Sequence, residues 1–112
     1  MRAQVSAEEF FGTLVPGHLG TLELPRAERA TYVFRLFGAT ASEWSIDLGT
    51  REVRRGGLPE PDLYVEMEHR DFEALLDGAL DIHGAVVGGR VRFKGDIRLL
   101  THLGRLLQSQ PN

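Results

Sequence analysis

The alternation of polar and apolar residues between positions 43 and 48 is the feature that most constrains the fold. From Glu43 to Leu48 every second residue is apolar, so an extended chain places Trp44, Ile46 and Leu48 on one face. This pattern is typical of a β-strand that is buried on one side and solvated on the other. The rest of the chain must therefore supply an apolar layer to cover that face.

Four further segments are predicted to be strands. Three of them combine β-branched or aromatic residues with an alternating apolar pattern. The fourth, residues 51–55, is short and highly charged, which is typical of an edge strand that avoids pairing with other chains. The other three are residues 32–37, 63–68 and 90–94.

The beginning of the chain predicts a short helix. Ser6 and Glu9 have the spacing of a capping box, and Val5 and Phe10 have that of a hydrophobic staple across the same helix start. The dipeptide Pro16-Gly17 predicts that this helix stops there.

Two later segments have the apolar spacing of amphipathic helices. In the first, Gly78 is placed to end the helix, and its stripe consists of Phe72, Leu75, Leu76 and Leu80. The second begins at Asp96 as a helix cap, and its stripe consists of Leu99, Leu100, Leu103, Leu106 and Leu107. Residues 84–89 favour neither helix nor strand.

These elements predict an α+β fold in a single domain, residues 1–112. A chain of 112 residues buries roughly 65% of its surface on folding, which is enough for one core. The helices are expected to pack on one face of a five-stranded sheet. The other face carries Glu, Asp and Arg residues and is expected to be solvated.

Composition and motifs exclude several classes of function. The chain has no cysteine and therefore no disulfide framework, thiol nucleophile or Cys-ligated metal. His18, His69, His83 and His102 lack metal-ligand spacing, and no nucleophile-elbow motif is present. We therefore predict no catalytic residue, no metal and no cofactor.

Location and macromolecular partners follow from the same composition. No apolar run approaches the ~20 residues that span a bilayer, and no secretion signal is present, which predicts a cytoplasmic protein. A net charge of -3 without a basic, aromatic stripe argues against nucleic acid as a partner.

Positive charge is concentrated near the end of the chain. Residues 84–112 contain five basic side chains and one acidic one, a net charge of +4. One interpretation is a basic mouth for anionic lipid or for a transient contact with a membrane surface. The other, which we favour, pairs Arg90, Arg92 and Lys94 with Glu66 and Glu68 on a neighbouring strand.

From Trp44 to Leu107 the chain resembles the sterol carrier protein type-2 family. The resemblance begins with the Trp-x-Ile-Asp-Leu strand at 44–48 and Pro61-Asp62 before the fourth strand. It continues with Asp-Phe-x-x-Leu-Leu-x-Gly at 71–78, residues 88–96 and the leucine-rich last helix. The family's Gly-Lys-x-x-x-x-Gly-Asp signature corresponds to the end of residues 88–96, with Arg90 in place of the usual Lys.

This resemblance implies a helix, three antiparallel strands, a crossover to a fourth strand, a helical segment and a fifth strand. It also implies a hydrophobic cavity between sheet and helices that accepts a lipid: a fatty acyl chain, a sterol-like molecule or an isoprenoid. The function expected is non-enzymatic lipid binding and transfer. The expected cavity wall consists of Phe34, Leu36, Trp44, Ile46, Val65, Met67, Phe72, Leu76, Val91, Phe93, Leu100, Leu103 and Leu107.

A second interpretation remains open from the sequence. The same fold with a filled core would be a protein interaction or dimerisation module, with the last helix packed on a partner such as a second copy of the chain. Helices this rich in leucine often bury both a core side and an interface side.

Leu103 lies in the middle of the last stripe and tests the cavity wall. We expect Leu103→Trp to fill the cavity and reduce uptake of a fluorescent fatty acid while the fold persists. If Leu103 is ordinary core, overpacking costs about 1 to 3 kcal/mol of stability instead. Unchanged uptake by a stable variant would contradict its place in the wall.

Overall fold

The computed structural model describes residues 6–19, 29–38 and 41–101. Five strands form one sheet: β1 (Thr31–Phe37), β2 (Ser42–Asp47), β3 (Glu52–Arg55), β4 (Leu63–Glu68) and β5 (Val91–Gly95). The helices are α1 (Ala7–Glu9), a π-helical segment (Phe10–Leu14), α2 (Val15–Leu19), α3 (His69–Asp77) and α4 (Ile82–Val87). A further helical turn begins after Asp96 and covers residues 98–101. The α+β fold is confirmed, and all five predicted strands form.

The sheet is mixed, with the strand order β3-β2-β1-β4-β5. β1, β2 and β3 are consecutive antiparallel strands, and the chain then crosses over to pair β4 parallel to β1. Thr31 and Asp62 tie together the starts of these two central strands: the Thr31 N–H donates to Asp62 Oδ2 at 2.8 Å, and the Asp62 N–H donates to Thr31 Oγ1 at 3.1 Å. The charged strand β3 lies at an edge of the sheet, as predicted.

The first helix differs from its prediction at its end. It begins as expected, with the Ser6 hydroxyl accepting the Glu9 N–H at 3.1 Å, but the helical run continues through Pro16-Gly17 to Leu19. A proline inside an α-helix lacks an N–H and clashes with the carbonyl four residues earlier. Here a wider π-helical segment, in which the Val15 N–H bonds to the Phe10 carbonyl, directly precedes Pro16. The proposed staple involves Val5, which lies outside the described residues.

The second and third helices begin and end at residues with suitable chemistry. Gly78 ends α3 in the left-handed conformation, with φ of 81°, as the sequence predicts. The uninterpreted segment 84–89 supplies most of α4, where Asp81 accepts the Gly84 N–H at 3.0 Å as a helix cap. Asp96 caps the final turn by accepting the Arg98 N–H at 3.0 Å.

The sheet has an apolar face under the helices and a largely polar outer face. On the outer face, hydrogen bonding to Tyr64 raises the pKa of the Arg35 guanidinium above its ordinary value, and Tyr64 donates to Glu66 at 3.3 Å. The expectation of a wholly solvated face is wrong at its centre, where Val33 and Ser45 are buried. These two residues are direct cross-strand neighbours, and the long side chains around them exclude water.

The expected charge pairing of β5 with β4 is partly wrong. Arg92 is the cross-strand neighbour of Glu66, but Lys94 lies opposite Tyr64. Arg90 precedes the strand and approaches Asp71 of α3 at 3.8 Å rather than Glu68. The reason is geometric, since Arg90 lies beyond the strand end, beside the start of α3.

Gly95 allows β5 to pass close to the chain beside Asp62. Its φ is 106°, and an added Cβ would lie 3.2 Å from Leu63 Cα and in steric conflict with the Asp62 carbonyl. We therefore expect Gly95→Ala to lower the free energy of unfolding by about 2 kcal/mol or more, measured by urea denaturation. Gly17→Ala is the matched control: open space surrounds that position, so stability should rise by about 0.5 to 1 kcal/mol. Equal effects of the two substitutions would contradict the close approach.

Candidate functional site

The apolar layer between sheet and helices is organised around Phe11. Its ring stacks on Trp44 of β2, with centroids 5.1 Å apart and planes 10° apart, and on Phe72 of α3, with centroids 5.3 Å apart and planes 11° apart. Phe34 of β1 lies 5.3 Å away in a tilted arrangement. One fully buried side chain thus connects the first helical run, the sheet and α3.

Polar contacts fix the first helical run over this layer. The Ala7 N–H, at the start of α1, donates to Glu73 Oε2 of α3 at 2.8 Å. Glu8 lies 3.6 Å from Arg55 of β3. At the other end of the run, Arg51 donates to the Leu19 carbonyl at 2.9 Å. These contacts hold both ends of the run, so Phe11 is directed towards the sheet.

The structure brings most of the predicted wall residues into this layer. Leu76 and Leu100 are half-buried and pack against it. Phe93 lies on the same face, opposite Val65 in the register, but is 38% exposed. Leu103 and Leu107 lie outside the described residues. The buried members are Phe34, Leu36, Trp44, Ile46, Val65, Met67, Phe72 and Val91. Whether these residues contact lipid stays a prediction.

Sequence reasoning missed the contribution of the first helical run and of Tyr32. Phe11, Val15 and Leu19 are buried and recur at intervals of four, a helical spacing that the assumed stop at Pro16-Gly17 obscured. Tyr32 begins the aromatic face of β1, and its hydroxyl donates to the Leu99 carbonyl at 3.0 Å. This bond attaches the final helical turn to the sheet.

Two polar groups within this layer lack partners. Among the described residues, Ser42 Oγ and Trp44 Nε1 are buried without a hydrogen-bond partner. The guanidinium carbon of Arg55 lies 4.5 Å from the centroid of the Trp44 ring. No group of three or more His, Asp or Glu side chains that would hold a metal occurs in the described ranges.

A separate groove lies at the end of the sheet where β1 and β4 finish. It has a volume of about 450 Å³ and is lined by Phe37, Glu68, Arg70, Asp71, Gly89 and Arg90. None of these residues belongs to the predicted wall, and four of the six are charged. The groove is therefore not the predicted apolar cavity, which stays a prediction.

The fold and the site define a class: an α+β domain in which helices enclose an apolar layer against a mixed sheet. A sequence model of the SCP-2 sterol transfer family matches residues 22–108. The chain belongs to this family, as the motifs at 44–96 indicated. Of the helices that the structure describes, none has the length and apolar character to cross a membrane.

Two solved structures share the fold closely. Sterol carrier protein 2 from Yarrowia lipolytica, in its apo form, has a TM-score of 0.76 and 17% identity, covering 100% of this chain and 98% of that one. Sterol carrier protein-2 from Aedes aegypti, in complex with palmitate, has a TM-score of 0.74 and 20% identity, covering 99% and 100%.

Curated relatives are much longer proteins. Mouse stomatin-like protein 1 is 36% identical over 85 residues, which are 71% of this chain and 21% of that protein. Rat hydroxysteroid dehydrogenase-like protein 2 is 32% identical over 88 residues, which are 76% of this chain and 17% of that protein. The chain therefore spans about a fifth of the length of these relatives.

The stacking of Phe11 predicts its energetic weight. Phe11→Ala should lower the free energy of unfolding by about 3 to 5 kcal/mol, because it leaves a cavity against both Trp44 and Phe72. Phe37→Ala is the control, since that ring is 44% exposed and its loss should cost about 1 kcal/mol or less. Chemical denaturation measures both, and similar losses would contradict the central role of Phe11.

Proposed function

We propose that this domain binds a single lipid acyl chain in the apolar layer between sheet and helices and transfers it without chemical change. The observation that carries the proposal is the uninterrupted apolar inner face of β1, β2 and β4, covered by a helical layer. Membership of the SCP-2 sterol transfer family supports it, as does the palmitate complex of the Aedes aegypti protein with the same fold.

The energetics of transfer explain why such a site needs few polar groups. At ~0.8 kcal/mol per buried methylene, a sixteen-carbon chain gains roughly 12 kcal/mol on leaving water, before ordering costs. A bilayer offers the same chain nearly the same gain. A carrier therefore only has to match the membrane, and smooth apolar walls are sufficient.

Ligand entry requires the helical layer to move, because Phe11 already occupies the centre of the inner face. The boundary near Phe93, Leu99 and Leu100 is where apolar side chains are least buried. The Tyr32 hydrogen bond to Leu99 is the polar contact that fixes this boundary. We place the entry route here, with a transient membrane contact during exchange and a cytoplasmic location.

A protein interaction module with a filled core is the second candidate. Phe37, Val87 and Phe93 are exposed at 44%, 88% and 38%, which favours an apolar contact with a partner such as a second copy. The named dehydrogenase relatives also carry this domain within a longer chain. In that setting the chemistry belongs to the remainder of the relative.

Native mass spectrometry of freshly purified protein separates the two candidates. The carrier predicts a copurified lipid that solvent extraction releases. After delipidation, palmitate should slow amide hydrogen exchange at Leu99 and Leu100, because the ligand restores missing contacts beneath that turn.

The interaction module predicts different results in the same measurements. A lipid-free dimer, with exchange protection that follows protein concentration and ignores palmitate, would contradict the carrier. Val87→Ser is the control variant: it should leave palmitate binding unchanged and weaken any dimer.

A further inference from the structure

Two unpartnered polar groups lie on the same side of β2. Ser42 and Trp44 are two residues apart, and their register partners Leu36 and Phe34 belong to the buried inner face. Side chains two residues apart on a strand share one face at a separation of roughly 7 Å. Ser42 Oγ and Trp44 Nε1 are therefore neighbouring orphans within the layer that is proposed to hold the acyl chain.

Leaving these groups unpaired is costly for the ligand-free domain. A buried N–H or O–H without a partner loses its hydration and gains nothing in return. Unsatisfied groups of this kind are rare in native proteins, and each requires an explanation. Both orphans can donate a hydrogen bond, so an acceptor with two oxygen atoms would satisfy them together.

Arg55 adds a positive charge at the same place. It is the cross-strand neighbour of Trp44, and its guanidinium lies over the indole ring that contains Nε1. Its present ionic partner, Glu8 of α1, is 3.6 Å away, and both side chains are more than half exposed. Such exposed pairs contribute little, so Arg55 can exchange Glu8 for another anion at low cost.

We propose that Ser42, Trp44 and Arg55 form the head-group site for the carboxylate of a bound fatty acid. The inference rests on the proposed acyl-chain function and narrows its ligand class to single-chain carboxylic acids. One carboxylate oxygen accepts from Trp44 Nε1, the other from Ser42 Oγ, and Arg55 neutralises the charge. The alkyl chain then runs along the inner face from β2 towards Val65 and Phe93.

The single tryptophan of the chain gives a direct readout. A ¹⁵N-labelled, delipidated sample has one indole N–H signal, and palmitate should shift its proton downfield as the new hydrogen bond forms. Methyl palmitate has the same alkyl chain without the charge. It should bind more weakly and leave the indole proton closer to its ligand-free position.

Ser42→Ala separates a head-group role from a packing role. The variant should bind palmitate about tenfold more weakly, the equivalent of one hydrogen bond to a charged group, and should bind methyl palmitate unchanged. The ligand-free variant should be at least as stable as the parent because it removes an orphan hydroxyl. Ser45→Ala is the matched control, since Ser45 is buried on the opposite face of the same strand.

Arg55→Gln should likewise weaken palmitate and spare the ester, and Arg54→Gln, on the opposite face, is its control. Palmitate binding with an unmoved indole signal, or equal losses for acid and ester in Ser42→Ala, would overturn the head-group site and leave the carrier function standing. Failure of palmitate and methyl palmitate to bind at all, judged by native mass spectrometry, would overturn both.

Discussion

The stacking of Phe11 on Trp44 and Phe72 is the interaction on which the rest of the structure depends. The sheet alone has one apolar face, and an amphipathic segment must cover it. Phe11 makes that cover continuous, because one ring contacts the sheet and α3 at once. The bond from Ala7 to Glu73 and the ion pair of Glu8 with Arg55 only orient a helical run that the ring holds down.

A small carrier faces a conflict between stability and capacity. Protein interiors are packed to a density that leaves little empty space, and a domain of 112 residues has few contacts to give up. A side chain that fills the ligand's place resolves the conflict, since Phe11 supplies core contacts when lipid is absent. Bound lipid then replaces Phe11 as core, and the free energy of the exchange stays small in either direction.

The sheet could be predicted from the sequence because alternation reports directly which face of a strand is buried. Trp44 and Ile46 in β2, and Val65 and Met67 in β4, all point inward as their spacing predicts. The helices were harder, because their limits depend on backbone geometry. Pro16 is accommodated by a π-helical segment that no local residue pattern announces, and that extension concealed the role of Phe11. The contact of Arg90 with Asp71 depends on where β5 begins beside α3, which is a tertiary feature.

The two sides of the sheet have different mechanical roles. On the outer side, Arg35, Tyr64 and Glu66 link neighbouring strands through hydrogen bonds and charge, and Thr31 and Asp62 join the central pair. These contacts involve no residue of the predicted ligand wall, so they persist when the inner layer changes. On the inner side, the helical cover is attached at a few points, and the final turn is held to β1 through Tyr32 and Leu99. Movement that admits a lipid therefore belongs to the helices, and the sheet stays fixed as the surface on which an acyl chain exchanges places with Phe11.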